Sequence, residues 1–355
     1  MYSRLDPFKR VAAKTAASTS SGSKRKAFKM NIHARKQSVA EHALKTISPK
    51  FLELILFPTE KCNFRCTYCY EDFKLGRMSD EVITNIKSLI SERLPLLTHL
   101  KLSWFGGEPL LAYDIVQDLT GYAHDLCLDQ HKTFFADMTT NGFLLDTDRL
   151  RWLVNHNVRT FQISLDGLSD DHNKTRKLGN GRGTFDRIWS NLDQASKTDI
   201  PFKFILRLHI TKQNIDAIEE VHAEIDRKFG DDARFSVFLK AIEDLGGGEE
   251  ARSAVPDAAG VRSLQQRFDA LASHSVLLED SYICYAARPN SFVIRSDGAV
   301  GKCTVALKSN TNNLGRLVEG GKMNIDVAKL RRWMSGYESL EQSELTCPAF
   351  ALKLW

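Results

Sequence analysis

From Pro49 onward, short apolar runs alternate with longer amphipathic stretches. The runs are rich in β-branched and aromatic residues: Phe51–Phe57, His99–Phe105, Thr133–Met138, Arg159–Leu165, Phe202–Ile210 and Arg234–Leu239. Between them apolar positions recur at helical spacing over Asp80–Arg93, Leu110–Leu128, Thr147–Asn155, Thr184–Ser196 and Asn214–Phe229. Six strands alternating with helices predict an α/β protein with parallel strands and right-handed crossovers. Six units fall short of the eight in a closed barrel, so the expected form is an open, partial (β/α)6 TIM barrel. In such sheets chemistry gathers at the carboxyl ends of the strands.

The pattern changes at Gly246-Gly247-Gly248, which marks the end of the barrel. A helix is expected over Gly260–Ser273, followed by short strands, glycines and a turn-rich Ser309–Asn313. The expected organisation is therefore an arm over 1–48, the barrel over 49–245, and a linker helix with a small cysteine-containing lobe over 246–355. No run approaches the roughly 18 apolar residues of a transmembrane helix. Phe51–Phe57 is a buried strand, and no membrane partner is expected.

Charge sharpens this division. The net charge is +5 over 355 residues, yet residues 1–50 hold 12 Lys/Arg against Asp6 and Glu41 alone. The basic character thus belongs to the arm, and the remainder is net acidic. Ala/Ser/Thr-rich Val11–Ser23 followed by Lys24-Arg25-Lys26 makes the arm largely disordered in expectation. It has no apolar signal-peptide region. A solvated tail, an organelle transit peptide and a basic arm gathering an acidic peptide or nucleic acid are its three readings.

Of the seven cysteines, three fall in Cys62-Asn-Phe-Arg-Cys66-Thr-Tyr-Cys69, just past the first strand. An odd count in so long a chain argues against a disulfide framework and for metal binding in a reducing cytoplasm. Each iron of a [4Fe–4S] cluster normally takes one thiolate. Three thiolates in one loop can therefore hold three corners and leave the fourth iron open to a small molecule. A closed zinc site is the alternative; it needs a fourth ligand, for which His99 or His209 are candidates.

At these residues the chain resembles the radical S-adenosylmethionine (SAM) superfamily, whose hallmark is C-x3-C-x-aromatic-C; Tyr68 fills the aromatic slot. The resemblance implies that the open iron chelates SAM. Reductive cleavage then yields a 5′-deoxyadenosyl radical, with an electron donor such as a flavodoxin or ferredoxin. Gly106-Gly107-Glu108-Pro109, at the end of the second strand, stands where the family has its GGEP motif. There the two glycines would let backbone approach the ligand, and Glu108 would accept from the SAM ammonium. Ser164-Leu165-Asp166-Gly167 resembles the family's fourth-strand ending, so Ser164 and Arg176 are expected on the SAM ribose or carboxylate. Asp166 is also an ordinary capping turn. Arg207, inside an apolar strand, is expected to line the barrel with a carboxylate partner, in function or in a structural ion pair.

The C-terminal lobe resembles the SPASM/twitch auxiliary-cluster domain through Cys284, Gly298 and Cys303 and the later Cys347-Pro348. Tyr282–Cys284, Phe292–Arg295 and Ala299–Thr304 would frame its cluster. The chain departs from the pattern at Phe350, where a further cysteine would continue, and a shortened C-terminus would account for the missing ligands. At most one auxiliary iron–sulfur cluster is expected, on Cys284, Cys303 and Cys347. Cys127, among leucines in a helical stretch, is left as an inert core thiol.

Proteins of this subgroup mostly modify peptides or proteins, including sulfatases and ribosomally made precursor peptides. A peptide maturase is therefore the expected activity, its extended substrate adding to a strand edge. Residues 1–50 are short for a folded leader-binding domain, and none is expected. A twitch-type dehydrogenase on a small molecule is the alternative enzyme. A non-enzymatic iron–sulfur or zinc protein with a nucleic-acid-binding arm would leave Gly106–Pro109 without a purpose.

Overall fold

A computed structural model describes residues 39–271 and 282–354; most of the basic arm therefore lies outside the described residues. The six expected strands are β1 (Phe51–Leu56), β2 (His99–Trp104), β3 (Thr133–Thr140), β4 (Val158–Leu165), β5 (Lys203–Ile210) and β6 (Phe235–Ala241). They pair in parallel and in sequence order. The molecule is a mixed α/β partial barrel.

Side-chain alternation explains why the sheet curls around a cavity. On one face Leu52, Leu54 and Leu56 of β1, Leu100, Leu102 and Trp104 of β2, and Phe204, Leu206 and Leu208 of β5 enter one continuous buried core. The residues between them point the other way, among them Glu53, Lys101, Asp137, Gln162 and Arg207. Strands of a parallel sheet covered on both faces usually read as unbroken apolar runs. These have a polar inner face, and the barrel encloses chemistry.

The helices match their sequence signals where a cap is present. Ser79 accepts from Val82 N to start Asp80–Arg93, and Asp146 accepts from Arg149 N to start Thr147–Asn155. Cys127 is buried within helix Tyr113–Asp129. The helix expected from Leu110 begins as a 3-10 turn, Pro109–Ala112, before Tyr113. The one expected from Asn214 starts only at Ile218. The Asn214 amide accepts from Thr211 N at 2.7 Å and donates to the carbonyls of Asp166 and His209 at 2.5 and 2.8 Å. That side chain stitches the loop and is withdrawn from the helix. A short helix, Ser169–Thr175, was not legible in the sequence.

Beyond the barrel, β7 (Ser291–Ile294), β8 (Ala299–Gly301), β9 (Gly315–Val318) and β10 (Lys322–Ile325) form an antiparallel lobe. Tyr282–Cys284 is not a strand of it. The lobe is continuous with the barrel, because β7 pairs in parallel with β1. One edge of the barrel is thus covered by the chain itself, leaving β6 as the barrel's outer strand. The last part of the expected arm is ordered: 39–46 is helical, and Val39 and Ala43 pack with Ile283, Ala287 and Leu345. Among the described residues no helix is long and apolar enough to cross a membrane.

Candidate active site

At the carboxyl ends of the strands, Cys62, Cys66 and Cys69 share a cavity of about 680 Å³ with Tyr68, Gly106, Gly107, Ser164 and Arg176. Motifs that lie on four separate segments of the sequence are thereby brought together. None of the three cysteines is in a disulfide. Phe64 N donates to Cys62 Sγ at 3.3 Å, and the Asn141 amide approaches the same sulfur at 3.9 Å. Burial pushes all three thiols up, Cys69 to about 12. A coordinated metal reverses that balance, since a ligating thiol is deprotonated outright. Three unbridged thiols facing a cavity, with N–H groups aimed at sulfur, fit a cluster held at three corners. Among the described residues no three His, Cys, Asp or Glu groups are gathered as a site for a single metal ion. His209, a candidate zinc ligand in the sequence, is engaged elsewhere.

Gly106 and Gly107 have a different close neighbour from the one expected. A Cβ on Gly106 would overlap the Thr59 carbonyl oxygen, and one on Gly107 that of Lys61. Gly107 N donates to Thr59 O at 3.2 Å and Glu108 N to Lys61 O at 3.0 Å. The glycines let this loop lie directly against the start of the cysteine loop. Gly106 also has φ of +118°, a conformation that side chains disfavour. Glu108 faces the protein as well. Its Oε1 accepts from Leu110 N at 3.0 Å and Thr140 Oγ1 at 2.8 Å, and its Oε2 from Asn141 N at 2.7 Å. The carboxylate therefore fastens the end of β2 to the end of β3, where the sequence suggested a ligand. Burial raises its pKa despite these donors. Pro109 is buried at the first position of the following 3-10 turn, which suits its fixed φ.

Tyr68 is the centre of a second network. Its hydroxyl donates to Asp166 Oδ1 at 2.9 Å, accepts from Arg176 Nη1 at 2.9 Å and lies 3.0 Å from His209 Nδ1. Thr175 Oγ1 donates to Asp166 Oδ2 at 2.6 Å. Burial opposes ionisation of Asp166, but the His209 hydrogen bond and the Arg176 charge outweigh it and hold the carboxylate below its ordinary range. His209 is kept neutral, its pKa lowered to about 4 by burial and by Arg207. The close approach of His209 to Asp166 is thus a polar contact and not an ion pair at neutral pH. Asp166 sits behind Tyr68, holding the aromatic of the cysteine motif. The sequence signal for His209 and Thr175 was slight, because only folding brings them to Tyr68.

Among the described residues Arg207 has no carboxylate partner and joins no ion pair, and its Nε is buried without an acceptor. It faces a neighbouring cavity, deeper in the barrel. The cost of placing a charge in the strand is real, and among the described residues no carboxylate contacts it to offset that cost.

Cys284, Cys303 and Cys347 are also brought together, from three separate segments. Burial first, then the neighbouring Cys303 and Cys347, pushes the Cys284 thiol up to about 12, and burial with Cys347 raises that of Cys303. Val305 N donates to Cys303 Sγ at 3.4 Å. The two cysteine groups are linked by side chains that sequence reading passed over. Tyr70 Oη donates to Thr304 O at 3.2 Å, and Tyr285 Oη lies 2.7 Å from Thr304 Oγ1. Arg295 of the lobe grips Glu60 of the cysteine loop at 2.9 and 2.6 Å.

Residues 56–225 match the model of the radical SAM superfamily. The Fe-coproporphyrin III synthase of Methanosarcina barkeri is 26% identical over 185 residues, 52% of this chain and 43% of that protein. The GTP 3′,8-cyclase of Campylobacter jejuni is 32% identical over 155 residues, 41% of this chain and 43% of that protein. The cysteine-type anaerobic sulfatase-maturating enzyme of Clostridium novyi is 25% identical over 192 residues, covering 51% and 50%. The chain thus spans half or less of the length of these relatives. Among solved structures, anSMEcpe with bound AdoMet and a peptide superposes with a TM-score of 0.62 at 20% identity, over 84% of this chain and 87% of that one. Streptococcus suis SuiB bound to its precursor peptide SuiA does so with 0.59 at 17% identity, over 93% and 75%. At these identities the structures establish a common fold. Motifs, fold and family match agree over one segment: residues 56–225, a little under half of the chain, match the radical SAM superfamily.

Proposed function

We propose that this protein is a radical SAM enzyme that abstracts hydrogen from a peptide or protein. The observation that carries the reading is the convergence of Cys62, Cys66 and Cys69 with Gly106, Gly107, Ser164 and Arg176 on one cavity. In this reading the three thiolates hold a [4Fe–4S] cluster, which when bound supplies the electron that cleaves SAM to methionine and a 5′-deoxyadenosyl radical. Ser164 and Arg176, which line the cavity, would orient SAM, and Tyr68 would fix the cysteine loop through Asp166. Glu108 keeps the β2 and β3 ends together beneath it. Cys284, Cys303 and Cys347 would hold an auxiliary cluster. A flavodoxin- or ferredoxin-like protein would supply electrons.

The peptide reading draws support from the lobe, which covers the β1 edge, and from likeness in fold to proteins whose structures contain peptides. The relatives that include a GTP cyclase favour the second reading, a small-molecule substrate. Anaerobically reconstituted protein should form 5′-deoxyadenosine from SAM and a strong reductant, detected by mass spectrometry. A candidate peptide should accelerate it and change mass. Protein that binds zinc and no iron in cells would sink the proposal.

A further inference from the structure

The deeper cavity, about 1260 Å³, is walled by polar side chains from every barrel strand: Glu53, Lys101, Asp137, Gln162, Arg207 and Lys240. Most of its charges are already paired. Lys101 Nζ lies 2.7 Å from both Glu53 Oε1 and Asp137 Oδ2. Glu53 also accepts from Ser291 Oγ at 3.0 Å and pairs with Arg288 at 3.7 Å. Lys240 is 2.5 Å from Glu243. Among the described residues Arg207 alone of these cations has no anion, and its Nε is buried with no acceptor. Burial depresses its pKa, opposed by Tyr70, Tyr68 and Glu243. Arg207 is half-buried, and a partly desolvated cation left unpaired weakens a fold; residues that break a rule of stability in this way mark sites of function.

We propose that this cavity receives a carboxylate-bearing residue of the substrate, and that Arg207 is the side chain that binds it. The inference rests on the barrel being the reaction chamber of a radical SAM enzyme, and it adds the class of substrate group. A guanidinium presents a planar fork that matches a carboxylate. Glu53 and Asp137 share the wall, so a single negative charge is accommodated and a doubly charged phosphate is repelled. Tyr282, Tyr285 and Val305 of the C-terminal segment close the chamber and offer apolar surface to the rest of the residue. The carboxylate belongs to an acidic side chain or to a peptide C-terminus.

The test is thermal unfolding of the reconstituted full chain, as wild type, Arg207→Lys and Arg207→Met. The probes, added separately, are N-acetyl-aspartate and N-acetyl-glutamate N-methylamides, their asparagine and glutamine counterparts, N-acetylglycine, and SAM. Acidic probes at about ten times their dissociation constant should raise the wild-type midpoint by about 2 °C, and the amide counterparts should not. Arg207→Met should melt at or above wild type without a probe and lose the response; Arg207→Lys should keep part of it. A stronger response to N-acetylglycine assigns the C-terminal source, and a stronger one to the side-chain probes the acidic residue. Equal shifts with acidic and amide probes, no shift with any acidic probe, a lower midpoint for unliganded Arg207→Met, or loss of the SAM response alone would each overturn the proposal. Formation of 5′-deoxyadenosine by the wild type reports separately on the radical SAM reading, whatever the probes show.

Discussion

Tyr70 donates a hydrogen bond to the carbonyl of Thr304 at 3.2 Å, joining the residue after Cys69 to the residue after Cys303. The contact spans 234 residues of sequence. It makes the barrel's cysteine loop and the lobe's cysteine group neighbours in one structure. Tyr70→Phe would leave the Thr304 carbonyl without this donor. The expected cost is about 1 kcal/mol, read as a lower urea midpoint, with iron content unchanged.

The two cysteine groups should be separable. Replacing Cys62, Cys66 and Cys69 together with Ala should abolish 5′-deoxyadenosine formation while leaving about four irons per chain on the second group. The triple Ala variant of Cys284, Cys303 and Cys347 should keep the other cluster. Iron near zero in the first variant would remove the auxiliary site from consideration, and retained SAM cleavage would remove the first.

Gly107→Ala should damage the site without touching a ligand. Its new methyl group meets the Lys61 carbonyl, one residue before Cys62. Backbone cannot yield as a side-chain tip can, so the cysteine loop must shift. Iron incorporation should fall severalfold with the overall fold retained, as read by circular dichroism. Gly121→Ala, where a methyl group meets open space within a helix, should be neutral or slightly stabilising and serves as the control.

Acid should weaken the Tyr68 network in a defined window. His209 and His172 are held neutral by burial, with pKa values near 4 and 3 against 6.5 when unfolded. Below pH 6.5 the unfolded chain takes up protons that the folded chain refuses. Stability therefore falls as pH drops from about 6.5 to 4, at about 1.4 kcal/mol per pH unit for each histidine. Burial raises the Glu71 carboxyl to about 8, which acts the opposite way, so the histidine share is read as the difference in urea midpoint between wild type and His209→Gln at pH 7.5, 6 and 5. His209→Gln should flatten the slope, and an unchanged slope would show that His209 is already charged in the fold.

Asp166→Asn keeps the shape of the network and removes its charge. Arg176 and Tyr68 then lose the anion they share, and Asn presents an amide where Tyr68 and Thr175 both donate. The expected loss is on the order of 3 kcal/mol, with SAM cleavage impaired through the displaced Tyr68. Denaturation with parallel 5′-deoxyadenosine assays checks both.

Features that depend on near neighbours in sequence were legible without a fold. Runs of apolar, β-branched and aromatic residues predicted all six barrel strands, and apolar positions at helical spacing predicted the helices between them. The Cys62–Cys69 spacing pointed to a cluster because three thiols in one loop are close whatever the loop's path. Ser79 and Asp146 cap the helices that begin at the very next residue, a relationship of the same local kind. What sequence could not supply was the direction in which a side chain points once distant segments meet. Glu108 turns inward because Leu110, Thr140 and Asn141 offer it three donors, two of them from another strand's end. Asn214 leaves its expected helix because carbonyls of Asp166 and His209 come within its reach. Arg207 was legible as a costly charge in an apolar strand, but only the packed barrel could decide whether a carboxylate met it. None does among the described residues, because burial fixes which groups share the interior, and the spacing of a strand sets only the face on which each one lies.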